Sequence, residues 1–201
     1  MKVIYHIYLP DEDIPVYDFV KNRKLVKYYT RETMAAVVAV SQLLEGEETN
    51  QDMPFFYSTG ETEMMDLYRN ICSQYELANN EFSSRGFIEN IVPKISPLQQ
   101  FKVMRNTTSC FVSIENGLKG DNAVLLSSAS GLLYMAMFAE KEDPVLIGAG
   151  KLYADGTVEC GFAKVFPTEI TNHPMLNSTD DAILLFKNLS LSDYVSSNNR
   201  I

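Results

Sequence analysis

A helix predicted over residues 129–139 constrains the fold more than any other segment. It is apolar on nearly every side, which is typical of a helix enclosed by other elements, and we therefore expect it at the centre of the fold. A strand predicted over 122–126, from Asn122 to Leu126, precedes it. The small residues Ser127 and Ser128 form the turn between the two elements.

Strands and helices alternate along most of the chain. Residues 3–9 and 53–59 are rich in β-branched or aromatic side chains and predict strands. Residues 31–45 predict a helix, with Thr30 as its N-cap and Gly46 as its stop. Two further helices are predicted over 61–79 and 98–104, whereas the segment 109–120 is placed in a loop with Gly117 and Gly120.

Beyond Pro144, two strand-like runs flank Asp155 and Gly156, a pair that favours a tight hairpin turn. The order of elements predicts an α/β fold. We expect a mixed, mostly parallel sheet with a buried central helix, flanking helices and a C-terminal β-hairpin. Residues 1–170 are assigned to the domain and residues 171–201 to a partly flexible C-terminal extension.

The charge and length of the chain exclude several functions. Its 201 residues carry a net charge of -9, which disfavours nucleic acid and anionic membranes as partners. No segment has the roughly 20 consecutive apolar residues of a membrane-spanning helix. The first ten residues lack the length and cleavage site of a signal peptide, so a cytoplasmic location is expected.

Cysteines and histidines are few and scattered. The three cysteines form no Cys-x-x-Cys pair, and the two histidines, His6 and His173, lie near opposite ends of the chain. Neither a metal nor a cofactor is therefore expected. A hydrolase that combines Cys110 with a histidine is conceivable from the residue types, but no local signature surrounds Cys110.

The turn before the central helix is a suitable position for a nucleophile. A side chain at such a strand-to-helix turn faces the positive end of the helix dipole, which favours developing negative charge. The alternative is that Ser127, Ser128 and Ser130 are small residues that allow the helix to pack closely.

The order of these motifs resembles the N-terminal half of β-ketoacyl synthases, which belong to the thiolase-like superfamily. Residues 127–132 resemble the turn that carries the nucleophilic cysteine, and Lys119-Gly120 resembles the glycine loop before it. FFYSTG, ISPLQQFKVMRN and VLIGAG resemble the second strand, the stretch before the glycine loop and the strand after the central helix. The resemblance extends over about residues 1–168 and implies half of a thiolase-like fold.

The resemblance places Ser128 where the family has its catalytic cysteine, so Ser128 is the candidate catalytic residue. A serine hydroxyl is much less acidic than a thiol and needs a general base. In the family, two histidines of the C-terminal half complete the site, and the resemblance, which ends near residue 168, leads us to expect no such half in these 201 residues. His6 and His173 are each expected to be non-catalytic.

Three functional hypotheses remain. The first is a non-catalytic subunit that pairs with a full synthase in fatty-acid, polyketide or aryl-polyene-type biosynthesis. The second is an acyl-transfer enzyme that uses Ser128 with a base from a partner, and the third is an unrelated α/β binding module.

The resemblance also implies partners. A full-length synthase or a second copy of the chain would pair through the strand that includes Asn122 and Leu126. An acidic acyl carrier protein is a further candidate partner for a basic group near residue 25, although a solvated helix face is the favoured interpretation of that group. The basic group consists of Lys21, Arg23, Lys24, Lys27 and Arg31.

Overall fold

The fold is a three-layer α/β/α arrangement. The computed structural model describes residues 1–48, 50–59, 69, 71–73, 83–98, 104–139 and 142–198, with side chains to residue 191. The strands are β1 (Lys2–Tyr8), β2 (Phe55–Thr59), β3 (Asn122–Leu125), β4 (Val145–Leu152) and β5 (Val158–Val165). The longer helices are α1 (Arg31–Leu43), α2 (Thr107–Asn116), α3 (Ala129–Met137) and α4 (Ala182–Asn198). Short helical turns occupy Val16–Asp18, Arg23–Tyr28, Ser84–Gly86, Phe87–Ile91, Val92–Lys94, Pro167–Ile170 and Pro174–Asn177.

The sheet is mixed, with the strand order β1-β5-β4-β2-β3. Strand β2 pairs in parallel with both β3 and β4, whereas β5 pairs antiparallel with β4 and β1. Four strands therefore run in one direction, and β5 opposes them. This arrangement places the carboxyl ends of β2, β3 and β4 at one edge of the sheet.

Two apolar clusters fill the space on the two faces of the sheet. Helices α1 and α2 cover one face, where the core includes Val37, Val40 and Phe162. Helices α3 and α4 cover the other face, where the core includes Leu132 and Phe186. Burial of both faces explains why the inner strands β2, β4 and β5 carry few charged residues, namely Lys151, Glu159 and Lys164.

Most of the locally signalled elements are confirmed. Strands β1 and β2 and helix α1 lie where the sequence predicts them, and the Thr30 hydroxyl caps α1 by accepting a hydrogen bond from the Thr33 N–H at 3.0 Å. The hairpin between β4 and β5 turns at Asp155-Gly156. Gly156 has a φ of 94°, which explains why a glycine occupies this turn.

The loop predicted over 109–120 is wrong for most of its length, because α2 extends through residue 116. Its buried residues Phe111, Val112 and Glu115 share one helical face, and the helix ends at Gly117. The helix predicted over 98–104 lies mostly outside the described residues. Of the helix predicted over 61–79, only residues 69 and 71–73 are described, and they are helical.

The expected central position of α3 is also wrong for this chain. Helix α3 forms where predicted, but it is buried on one side only, while Tyr134 is 48% exposed and Phe138, just after the helix, is 84% exposed. The enclosed helix is α1, in which every side chain from Ala35 to Val40 is fully buried. Helix α3 is therefore apolar in composition, but other elements in the described part of the chain do not enclose it.

The segment after residue 170 belongs to the same packing unit as the sheet. Helix α4 contacts β1, β4 and β5, and Ala182, Ile183, Leu185 and Phe186 are buried in the core. The boundary expected at residue 170 therefore separates no independent core. None of the helices in the described segments is long and apolar enough to cross a membrane.

Candidate functional site

A cavity of about 640 Å³ opens at the carboxyl ends of β2, β3 and β4. Its lining includes Ser58 and Thr59 from the end of β2, Ser127 and Ser128 after β3, and Lys151 near the end of β4. In open α/β sheets, ligands bind outside the carboxyl ends of the strands. The position and size of this cavity therefore fit a binding site for a small molecule.

Ser128 is the N-cap of α3. Its hydroxyl oxygen lies 3.4 Å from the Gly131 N–H that donates to it and 2.8 Å from the Ser130 hydroxyl. The side chain is half-buried and lines the cavity. The contacts of the Ser128 hydroxyl in the described residues are those of a helix cap, with no general base among them.

Close packing holds the turn in shape around Gly131. A Cβ atom at Gly131 would lie 2.3 Å from the Ser127 hydroxyl oxygen, a distance too short for any side chain. The Ser127 hydroxyl in turn donates to the Ser128 carbonyl at 2.9 Å. A side chain at residue 131 would therefore require the Ser127 hydroxyl to move from its present position.

Two other segments fix the turn from opposite sides. The Ser58 hydroxyl at the end of β2 donates to the Ser127 carbonyl at 3.1 Å. The Ala129 N–H donates to the Asp180 carbonyl at 2.8 Å, and Ser128 forms an isolated bridge with Asp181. The residues that precede α4 are thus part of the wall of the site.

The cavity carries both signs of charge. The Lys151 ammonium lies 2.6 Å from the Asp181 carboxylate, and both side chains are partly exposed. Arg105, which precedes α2, also lines the cavity and has no ion-pair partner in the described part of the chain. These three side chains give the lining a net charge of about +1.

A buried carboxylate lies directly behind the cavity wall. Glu32, in the first turn of α1, accepts hydrogen bonds from the Tyr57 hydroxyl at 2.5 Å and from the Thr59 hydroxyl at 3.1 Å. Burial, followed by the negative charge of Glu32, raises the pKa of Tyr57 well above its usual value. Thr59 therefore connects the cavity to an interior network of hydrogen bonds.

The histidines hydrogen-bond elsewhere. His6 Nε2 lies 2.8 Å from the Gln42 side-chain oxygen, and His173 Nδ1 accepts a hydrogen bond from the Met175 N–H at 3.3 Å. Burial lowers the pKa of His173 below its usual value. In the described residues, neither histidine hydrogen-bonds to Ser128.

Within the described residues, neither Cys110 nor Cys160 forms a nucleophile with a base. Cys160 is fully buried in β5, and burial raises the pKa of its thiol far above the usual value. Cys110 is exposed on α2, and no hydrogen bond joins it to a histidine within the described segments. The geometry of the described residues therefore does not support a hydrolase site that combines Cys110 with a histidine.

Sequence reasoning located Ser128 at a cavity but missed the charged residues around it. Arg105, Lys151 and Asp181 are far apart in the chain and meet only through the sheet topology. One usable signal was the position of Lys151 near the end of a buried strand, since such ends meet at one edge of a sheet.

The fold and the cavity define an α/β protein with a polar site at the carboxyl ends of its parallel strands. No family model matches the chain, and no curated protein matches it.

Proposed function

We propose that this chain is a non-catalytic β-ketoacyl synthase-like subunit that pairs with a complete synthase. Support comes first from the order of the motifs from FFYSTG to VLIGAG, and then from the surface of α3. The observation that carries the proposal is that α3 has no charged residue although one side of it faces solvent.

A solvent-facing helix usually carries charged or polar residues on its outer side. The outer side of α3 instead carries Tyr134, and the exposed Phe138 follows the helix directly. Contiguous apolar surface of this kind marks a protein interaction site. We call the surface formed by Tyr134 and Phe138 the α3 face.

Tyr134 lies six residues beyond Ser128, which is roughly 9 Å along the helix, so a partner that extends from the α3 face to the start of α3 would also meet the Ser128 turn. This position agrees with a synthase whose histidine-bearing half approaches the nucleophile turn. The chain alone has a serine at the nucleophile position and, in its described residues, no histidine in contact with it. Turnover by the isolated chain is therefore not expected.

Strand β3 offers a second surface for pairing. It is the last strand of the sheet order, so one side of its backbone has no strand partner among the described residues. An unpaired edge can add a strand from another chain. Pairing of two β3 strands would produce either a homodimer or a heterodimer with a synthase.

Affinity purification from the native cell extract, with identification of bound proteins by mass spectrometry, tests the proposal. We expect a complete ketoacyl synthase to co-purify with the wild-type chain. Introducing a charge with Tyr134→Glu should remove most of the bound synthase, because an unpaired carboxylate would be buried at the contact.

The matched control is Tyr17→Glu. Tyr17 is 55% exposed, similar to Tyr134, but it lies on the α1 side of the sheet. This variant should retain the synthase. Absence of any synthase from the wild-type eluate, or equal recovery with both variants, would contradict the proposal.

Acyl transfer by Ser128 is a second candidate, since the Ser128 hydroxyl lines the cavity. It would require the hydroxyl to leave its capping contacts and a partner to provide a base. The third hypothesis, an unrelated α/β binding module, gains from the exposed side of α3, because the synthase-like fold was expected to have a buried central helix that starts near Ser128. Such a module would retain the cavity but would have no synthase as partner.

A further inference from the structure

The charges in the cavity are arranged to attract an anion. Lys151 is held in place by Asp181, and an ammonium group has three donors, so this contact leaves Lys151 able to donate to a ligand. Arg105 contributes a second cation whose charge no carboxylate in the described segments neutralises.

Hydroxyl groups complete the lining. Ser58, Thr59, Ser127, Ser128 and Thr179 all reach the cavity wall. The Ser58, Thr59 and Ser127 hydroxyls donate their hydrogens within the protein, so towards a ligand their oxygens act as acceptors. Ser128 and Thr179 carry the hydroxyls of the lining that can donate to a carboxylate or phosphate oxygen. The volume of about 640 Å³ accommodates a small organic molecule rather than a bare ion.

We infer that this cavity binds a small organic anion, with a carboxylate or a phosphate group held by Arg105 and Lys151. The inference goes beyond the proposed subunit role, because it concerns a ligand of this chain alone. It also assigns a function to Arg105, which makes no ion pair within the described residues.

Isothermal titration calorimetry of the full chain with three probes tests the inference. The probes are succinate, inorganic phosphate and succinamide, which has the shape of succinate without its charge. Saturable binding of succinate or phosphate, with none of succinamide, is the expected result. Whether succinate, phosphate or both bind identifies the anionic group that the site accepts.

Two variants should change the affinity in opposite directions. Arg105→Gln removes a charge-assisted hydrogen bond and should weaken binding roughly ten- to a hundredfold. Asp181→Asn removes the carboxylate that competes with the ligand and should tighten binding by roughly fivefold. Asparagine can still accept the hydrogen bond that the Ile183 N–H donates to Asp181, so the start of α4 is preserved.

The matched control is Arg85→Gln, which removes an exposed arginine that is ion-paired with Glu89 and does not line the cavity. Its affinity should equal that of the wild type. Equal binding of succinamide, no saturable binding of either anion, or the same affinity in Arg105→Gln as in Arg85→Gln would overturn the inference. Arg105→Gln leaves the α3 face intact, so this variant should still co-purify with the synthase. If the wild type binds no anion but still co-purifies with the synthase, only the anion inference is overturned and the subunit proposal stands.

Discussion

Truncation of Phe186 to alanine tests whether α4 is an integral part of the fold. The Phe186 side chain is fully buried, and it lies so close to β5 that a Cβ atom at Gly161 would be 2.2 Å from the Phe186 Cβ. The Phe186 side chain thus packs directly against the backbone of β5 at Gly161. A fully buried Phe→Ala change costs about 3–5 kcal/mol, which includes the cavity left behind.

This loss would be a large part of the roughly 5–15 kcal/mol that stabilises a domain. Urea unfolding followed by circular dichroism gives the free energy of unfolding by linear extrapolation. Leu184→Ala is the control on the same helix, because Leu184 is 37% exposed and its truncation should cost less than about 1 kcal/mol. Equal small losses in the two variants would show that α4 is a dispensable extension and that the packing described above is incorrect.

Two further predictions concern the site. Ser128→Ala should lower the free energy of unfolding by about 1 kcal/mol, whereas Ser128→Asp keeps a capping oxygen and should lower it less. In a separate experiment, the wild type is incubated with acyl-carrier thioesters, and intact-mass analysis should show no adduct that depends on Ser128. Tyr57→Phe should cost about 1–3 kcal/mol at neutral pH, because Glu32 loses a buried donor. The pKa of Tyr57 is raised in the folded state, so the stability that depends on its protonated form is present below about pH 10 and is lost as the pH rises further. In urea unfolding curves, the difference in stability between the wild type and Tyr57→Phe should therefore shrink above about pH 10.

Different measurements would contradict these two predictions. A Ser128-dependent acyl adduct would favour the acyl-transfer hypothesis over the non-catalytic role. A stability difference between the wild type and Tyr57→Phe that is independent of pH would show that the Tyr57 hydroxyl is not desolvated beside Glu32.

The parts of the fold that the sequence predicts correctly depend on local signals. Thr30 and Thr33 lie within one helical turn, and Asp155-Gly156 forms its turn without help from distant residues. Helix α2 was missed because Gly117 and Gly120, which follow it, suggested a loop, while Tyr29, which packs on Phe111, lies about 80 residues earlier in the chain. Contacts of that separation leave no local pattern in the sequence.

The same distinction between local and long-range contacts applies to the candidate site. The cap at Ser128 involves residues within three positions and could be expected from the serine-rich turn. The pair of Lys151 and Asp181 and the bond from Tyr57 to Glu32 join residues that are far apart in the chain. These contacts depend on the strand order, which neither hydrophobic periodicity nor turn residues specify.

The contrast between α1 and α3 explains why apolar composition misled the assignment of the central helix. Helix α1 lies against the sheet, and the segments around Val16 and Val26 and helix α2 pack over its outer side. In the described residues, no comparable segment covers Tyr134, so an equally apolar helix is left with an exposed side. An apolar composition indicates that a helix is to be buried, but it does not indicate whether a segment of the same chain buries it.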